Sequence, residues 1–235
     1  MNKYKYIYKT LYTETNFSKI YKYKDKIIKR IPKNNNYDYK NEYNILKLIN
    51  DSNIIKILET YEDNKYFYTV MKYYELGDLH YNISNNTLNT KNYKSVVNKL
   101  INPINIIHKK NIVHMDLKLE NYLLNNNQNY LLFDFSLSKL HNKYYYDLIK
   151  TNYKIGTKYY ISPEALDGYY CKSSDMYSLG CMLHVIYTNK YFDNIDLSKE
   201  LLKKTNNNLK NLIFDLLNDN YKLRPTVYDI KYSIL

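Results

Sequence analysis

The sequence predicts an α+β fold, with strands gathered in the first third of the chain and long helical periodicity after them. Three observations carry this expectation. Short apolar runs separated by turn signals recur between residues 20 and 71 and read as antiparallel hairpins. Apolar residues recur at helical spacing over 38–50 and 91–110. Two further runs, Tyr122 to Leu124 and Tyr130 to Phe133, bracket the turn signal Asn125-Asn126-Asn127-Gln128-Asn129. At 235 residues and 45% hydrophobic content, the chain can bury a core as one domain or one two-lobed unit.

In chain order, residues 20–31 read as two strands around a Lys24-Asp25 turn, the second carrying Lys29 among isoleucines. Over 38–50, Ile45, Leu46 and Ile49 stand three, four and seven positions after Glu42, which puts Glu42 on the apolar face of a helix. A carboxylate there is costly unless paired, and Lys29 is the natural partner. Residues 55–61 and 66–71 form the next hairpin, turning at Glu62-Asp63-Asn64-Lys65. The helix over 91–110 presents Tyr93, Val96, Val97, Leu100, Ile101, Ile104 and Ile107, and Pro103 is expected to kink it. Asn111 follows, a residue that tolerates left-handed backbone better than most.

The hairpin over 122–133 carries the chemistry. Asn121 enters its open end and Asp134 leaves it, with Asp116 and Lys118 on the same approach. Two oxygen ligands, a further carboxylate and an ammonium group there suit a Mg²⁺-bound polyphosphate. The text His114-Met115-Asp116-Leu117-Lys118-Leu119-Glu120-Asn121, followed by Asp134-Phe135-Ser136, resembles the H-R-D-L-K-x-x-N and D-F-G loops of eukaryotic protein kinases. The resemblance implies a two-lobed fold in a single domain over 1–235: a small, mostly antiparallel-sheet lobe with one helix over 1–71, a hinge at 72–77, and a larger, mostly helical lobe over 78–235.

It also implies roles. Asp116 would accept or orient the substrate hydroxyl proton and Lys118 would stabilise the transferred phosphoryl group, while Asn121 and Asp134 would hold Mg²⁺. Lys26-Ile27-Ile28-Lys29 resembles V-A-I-K, so Lys29 would hold the α- and β-phosphates of ATP and Glu42 would orient it. Ile27 replaces the small alanine over the adenine ring. The glycine-rich loop aligns with Thr13-Glu14-Thr15-Asn16-Phe17-Ser18-Lys19-Ile20, so Thr13, Thr15 and Ser18 stand where its glycines would, and Ile20 keeps the adenine contact. Residues 70–79 resemble the hinge. Met71 would be the gatekeeper, the backbone of Lys72 and Tyr74 would meet adenine, Asp78 would contact ribose, and Leu123 would complete the nucleotide site. Asp78 also reads as a helix N-cap.

Downstream, Gly156-Thr157-Lys158-Tyr159-Tyr160-Ile161-Ser162-Pro163-Glu164 resembles G-T-x-x-Y-x-A-P-E, and Asp175-Met176-Tyr177-Ser178-Leu179-Gly180 resembles D-x-W-S-L-G. By that likeness Glu164 pairs with Arg224, and Asp175 lies buried beneath the catalytic loop and holds its backbone. Lys118 and the Gly156-Thr157 segment favour serine and threonine over tyrosine as acceptor. Met115 replaces the arginine that clamps a phosphorylated activation loop, which argues against control by that route.

Composition sets the remaining expectations. The net charge of +12 is spread along the chain, and Lys, Asn, Tyr and Ile abound while Gly (4), Pro (4) and Trp (0) are scarce, as an A/T-rich coding sequence favours. Nucleic acid is therefore not expected as the main partner. Cys171 and Cys181 have neither zinc nor disulfide spacing. With no signal-peptide core and no apolar run of spanning length, the expectation is an intracellular, cytoplasmic monomer acting on protein substrates with Ser/Thr acceptors. The lost glycines, Met115 and Ser136 support an alternative, a catalytically silent kinase fold serving as scaffold or allosteric partner. Retention of Lys29, Glu42, Asp116, Lys118, Asn121 and Asp134 favours the enzyme, and Ser162-Pro163-Glu164 favours a peptide over a small-molecule substrate.

Overall fold

The computed structural model describes residues 11–14, 18–33, 38–141 and 144–234. Thr15 and Phe17, and the Asn run at 34–36, lie outside the described residues. Strands β1 (Leu11–Glu14), β2 (Lys19–Tyr23), β3 (Lys26–Pro32), β4 (Ile57–Glu62) and β5 (Tyr66–Lys72) form one antiparallel sheet in the order β1-β2-β3-β5-β4. Both predicted hairpins are present. Alternation along β3 divides its side chains between two faces: Ile28 packs with Tyr21, Tyr68 and Val70 on one, while Ile27, Lys29 and Ile31 face a cleft on the other.

Helix α1 (Asn41–Leu46) crosses that cleft face. It is shorter than the periodicity over 38–50 suggests, because the amides of Leu48 and Ile49 bond three residues back, to Ile45 and Leu46, and tighten the chain out of the α-helix. The apolar positions are nonetheless buried, and Glu42 with them at 4% exposure.

The helical part comprises α2 (Leu79–Ser84), α3 (Tyr93–Lys109), α4 (Pro163–Leu166), α5 (Lys172–Thr188), α6 (Ile195–Leu201), α7 (Asn207–Leu216) and α8 (Val227–Ile234). Short antiparallel pairs join β6 (Ile112–Val113) to β9 (Lys139–Leu140), β7 (Tyr122–Leu124) to β8 (Tyr130–Leu132), and β10 (Ile149–Lys150) to β11 (Tyr169–Tyr170). Pro103 does not interrupt α3, which runs unbroken over 17 residues with Pro103 buried inside it. Packing of that apolar stripe offsets the lost amide hydrogen bond. Asn111 takes φ 57° and supports the turn into β6.

α5 forms the centre of this core, buried from Lys172 to Ile186. Its Gly180 is required by contact: a Cβ there would stand 2.9 Å from Leu216 Cβ on α7. Among the described residues no helix is long and apolar enough to cross a membrane.

Candidate active site

A cleft of about 570 Å³ lies between the sheet and the helical part, a volume within the range of small-molecule sites. Thr13, Ser18, Ile20, Ile27, Lys29, Glu42, Met71, Lys72, Tyr74, Asp78, Asp116, Lys118, Leu123 and Asp134 all line it. Ile27 sits opposite Met71 in the β3–β5 register, so the two form part of one apolar wall. The amide of Tyr73 donates to the Asp25 carbonyl at 2.8 Å on the β3 side. Beyond the end of β5 at Lys72, the Tyr74 carbonyl accepts from the Gly77 amide at 3.2 Å. Asp78 caps α2 by accepting from the Tyr81 amide at 2.8 Å, and a β-bridge joins it to Leu123 at the cleft floor.

At the other end of the cleft the backbone of the 114–121 loop is held from below. Asp175 accepts from the amides of His114 (2.9 Å) and Met115 (3.0 Å), and His108 Nε2 lies 2.9 Å away. This support lets Met115 hold φ 69°, a conformation rare for a long side chain. Gly156, at φ +116°, packs close enough that a Cβ would meet the Met115 carbonyl at 3.3 Å. Above this base, Thr157 Oγ1 donates to Asp116 Oδ1 at 2.7 Å and accepts from Lys118 Nζ at 2.7 Å, while Lys118 also reaches Asp116 Oδ2 at 2.9 Å. Thr157 thus belongs to the site itself, where its motif marks it only as part of a segment. Asn121 spends its Nδ2 on the Asp116 carbonyl (2.8 Å), which leaves its amide oxygen as a donor to a cation.

Lys29 links the halves. Its Nζ lies 2.8 Å from Glu42 Oε2 and 3.0 Å from Asp134 Oδ1. Burial alone would lower the lysine pKa, yet the charges of Asp134 and Glu42 raise it well above the ordinary value. Burial likewise pushes Asp134 up, but the Lys29 charge and the Ser136 hydroxyl outweigh it and hold the carboxyl well below the usual range. Glu42 Oε1 also accepts from the Phe135 amide at 3.1 Å, so α1 grips the segment carrying Asp134. Among the described residues no three His, Cys, Asp or Glu gather as a metal cluster. One carboxamide oxygen and one carboxylate fit a hard cation that keeps phosphate and water oxygens in its shell.

The model of the protein kinase domain family matches residues 7–233.

The chain belongs to the protein kinase domain family.

Its curated relatives include a probable serine/threonine-protein kinase nek3 of Dictyostelium discoideum, 32% identical over 215 residues, which are 82% of this chain and 19% of that protein. Calcium-dependent protein kinase 4 of Plasmodium falciparum is 34% identical over 69% of this chain and 31% of its own length. Calcium-dependent protein kinase 3 of Plasmodium yoelii yoelii is 31% identical over 84% of this chain and 36% of its own length. The chain thus spans between about a fifth and about a third of these relatives.

Two supports of this kinase domain match their sequence-based expectation. Arg224 and Glu164 form a bidentate pair with both contacts at 2.8 Å, and Glu164 accepts further from Ser162 and Ser174. Asp175 is 1% exposed beneath the loop it holds. Besides Thr157, sequence reasoning missed Asn41, whose contacts lie more than 90 residues away in the chain. No local signal marks a partner so distant.

Proposed function

We propose that this kinase domain is an active phosphotransferase that moves the γ-phosphoryl group of ATP to serine and threonine hydroxyls of protein substrates. The proposed layout is a single domain over 1–235 with the lobe and hinge boundaries given above. The observation that carries the reading is the pairing of Lys29 with both Glu42 and Asp134 in the cleft that also holds Asp116 and Lys118. A lysine held charged between two carboxylates is poised to bind phosphate oxygens.

In this reading ATP lies in the cleft, with adenine against Ile20, Ile27, Met71 and Leu123 and its edge on the backbone of Lys72 and Tyr74. Thr13 and Ser18 border the phosphates, and Asp78 borders the ribose. Asn121 and Asp134 would hold Mg²⁺, which would neutralise charge on the phosphates of the nucleotide. Asp116 orients the acceptor hydroxyl and takes its proton, and Lys118 offsets charge on the phosphoryl group in flight. The Thr157 hydroxyl, donating to Asp116 and accepting from Lys118, supports an aliphatic hydroxyl as acceptor because it engages the same two groups.

The test is transfer of labelled phosphate from Mg²⁺-ATP to mixed Ser/Thr substrates, run beside Asp134→Asn and Lys29→Met. The wild type should transfer label and both variants should lose it. A silent wild type that Mg²⁺-ATP still stabilises against heating would overturn the enzyme and leave a nucleotide-binding scaffold.

A further inference from the structure

Two side chains outside the predicted catalytic set converge on the segment that carries Asp134. Ser136, standing where the D-F-G pattern has glycine, donates from Oγ to Asp134 Oδ1 at 2.7 Å. Asn41, beside Glu42 in the first turn of α1, directs its Nδ2 at the carbonyl oxygens of Phe135 (3.3 Å), Ser136 (3.0 Å) and Ser138 (2.9 Å). Three carbonyls around one end of a carboxamide fix its orientation, since only the NH₂ end can donate to them.

The backbone agrees with this arrangement. The left-handed residue is Asp134 at φ 59°, and Ser136 is not among the positive-φ residues, so nothing here demands glycine. Serine also narrows the alternatives open to the segment, because glycine has the greater conformational freedom to lose. With Lys29 and Ser136 both on Oδ1, Asp134 Oδ2 takes no hydrogen bond from a described residue.

We infer that Asn41 and Ser136 are positioning residues for Mg²⁺. Ser136 fixes the rotation of the Asp134 carboxylate so that Oδ2 is left for the cation, and Asn41 ties the segment to α1, so that the Lys29–Glu42 pair and the metal-binding carboxylate stay in one register. The inference rests on the kinase reading of the cleft. Hydrogen-bond partners of a metal ligand typically tune metal affinity by about 10–100-fold.

The experiment titrates Mg²⁺ against a fluorescent ATP analogue bound to wild type, Ser136→Ala, Ser136→Thr and Asn41→Ala, with a parallel measurement in chelator. Ser136→Ala and Asn41→Ala should raise the Mg²⁺ concentration at half-maximal binding by roughly tenfold. Ser136→Thr, which keeps the hydroxyl, should recover most of the loss. Metal-free analogue binding should stay unchanged in all three, whereas a merely structural role would weaken binding with and without metal alike. Wild-type binding with unshifted Mg²⁺ midpoints in Ser136→Ala and Asn41→Ala overturns the inference alone. Absence of analogue binding by wild type at any Mg²⁺ concentration overturns the kinase reading and this inference together. The Ser136 pair decides the matter should Asn41→Ala not fold.

Discussion

Thr157 joins Asp116 and Lys118, which also pair with each other across the 116–118 loop. Thr157→Ala removes a donor to Asp116 and an acceptor from Lys118, and transfer should fall roughly tenfold or more with little change in melting temperature. Thr157→Ser should retain activity, and a steady-state assay paired with a thermal melt checks both. Charge at Glu164 gives a pH signature. Burial pushes its carboxyl up, but Arg224 and the Ser174 and Ser162 hydroxyls outweigh this and lower it below the ordinary value. A lowered carboxyl contributes stability that is full above the unfolded value of about 4.3 and is lost as pH falls through the folded one. Stability measured by denaturant titration should therefore drop below about pH 4.3, and Glu164→Gln, less stable at neutral pH, should show a shallower acid limb. Thr157 is legible in the sequence only as part of a motif, because its partner Asp116 lies 41 residues away and only the fold joins them. Lys29 and Glu42 are legible, since a lysine and a carboxylate on two apolar faces need each other.

Hairpins and capped turns follow from local alternation and Asn-rich turns, which is why the open end of β7–β8 can be located from residues 121–134 alone. Helix ends are less legible. The end of α1 depends on amides choosing i−3 over i−4 partners, and the continuity of α3 depends on burial of Pro103, and neither is encoded in periodicity. The larger dependence at this scale is that of the 114–121 loop on α5. Asp175→Ala would leave two buried amides and the His108 ring without their acceptor, at a cost of about 3 kcal/mol or more, read by denaturant titration. Gly180→Ala should cost about 1–3 kcal/mol by forcing α5 from α7, with no direct effect on nucleotide affinity.

The molecule as a whole places its cleft between a sheet and a helical core, so a nucleotide bound there would touch both. Mg²⁺-ATP at about a hundred times its dissociation constant should therefore stabilise the wild type by about 2.7 kcal/mol, and thermal melts of Lys29→Met should show less. Scarcity of glycine has another consequence. Lys24 and Gln128, both exposed in hairpin turns, hold φ 54° and 56°. Left-handed backbone costs an ordinary residue about 1–2 kcal/mol. The chain therefore carries a small mutational load at two places far from its chemistry. Lys24→Gly with Gln128→Gly would lift part of it, giving a sturdier parent on which harsh substitutions in the cleft can be made and still leave a folded protein to measure.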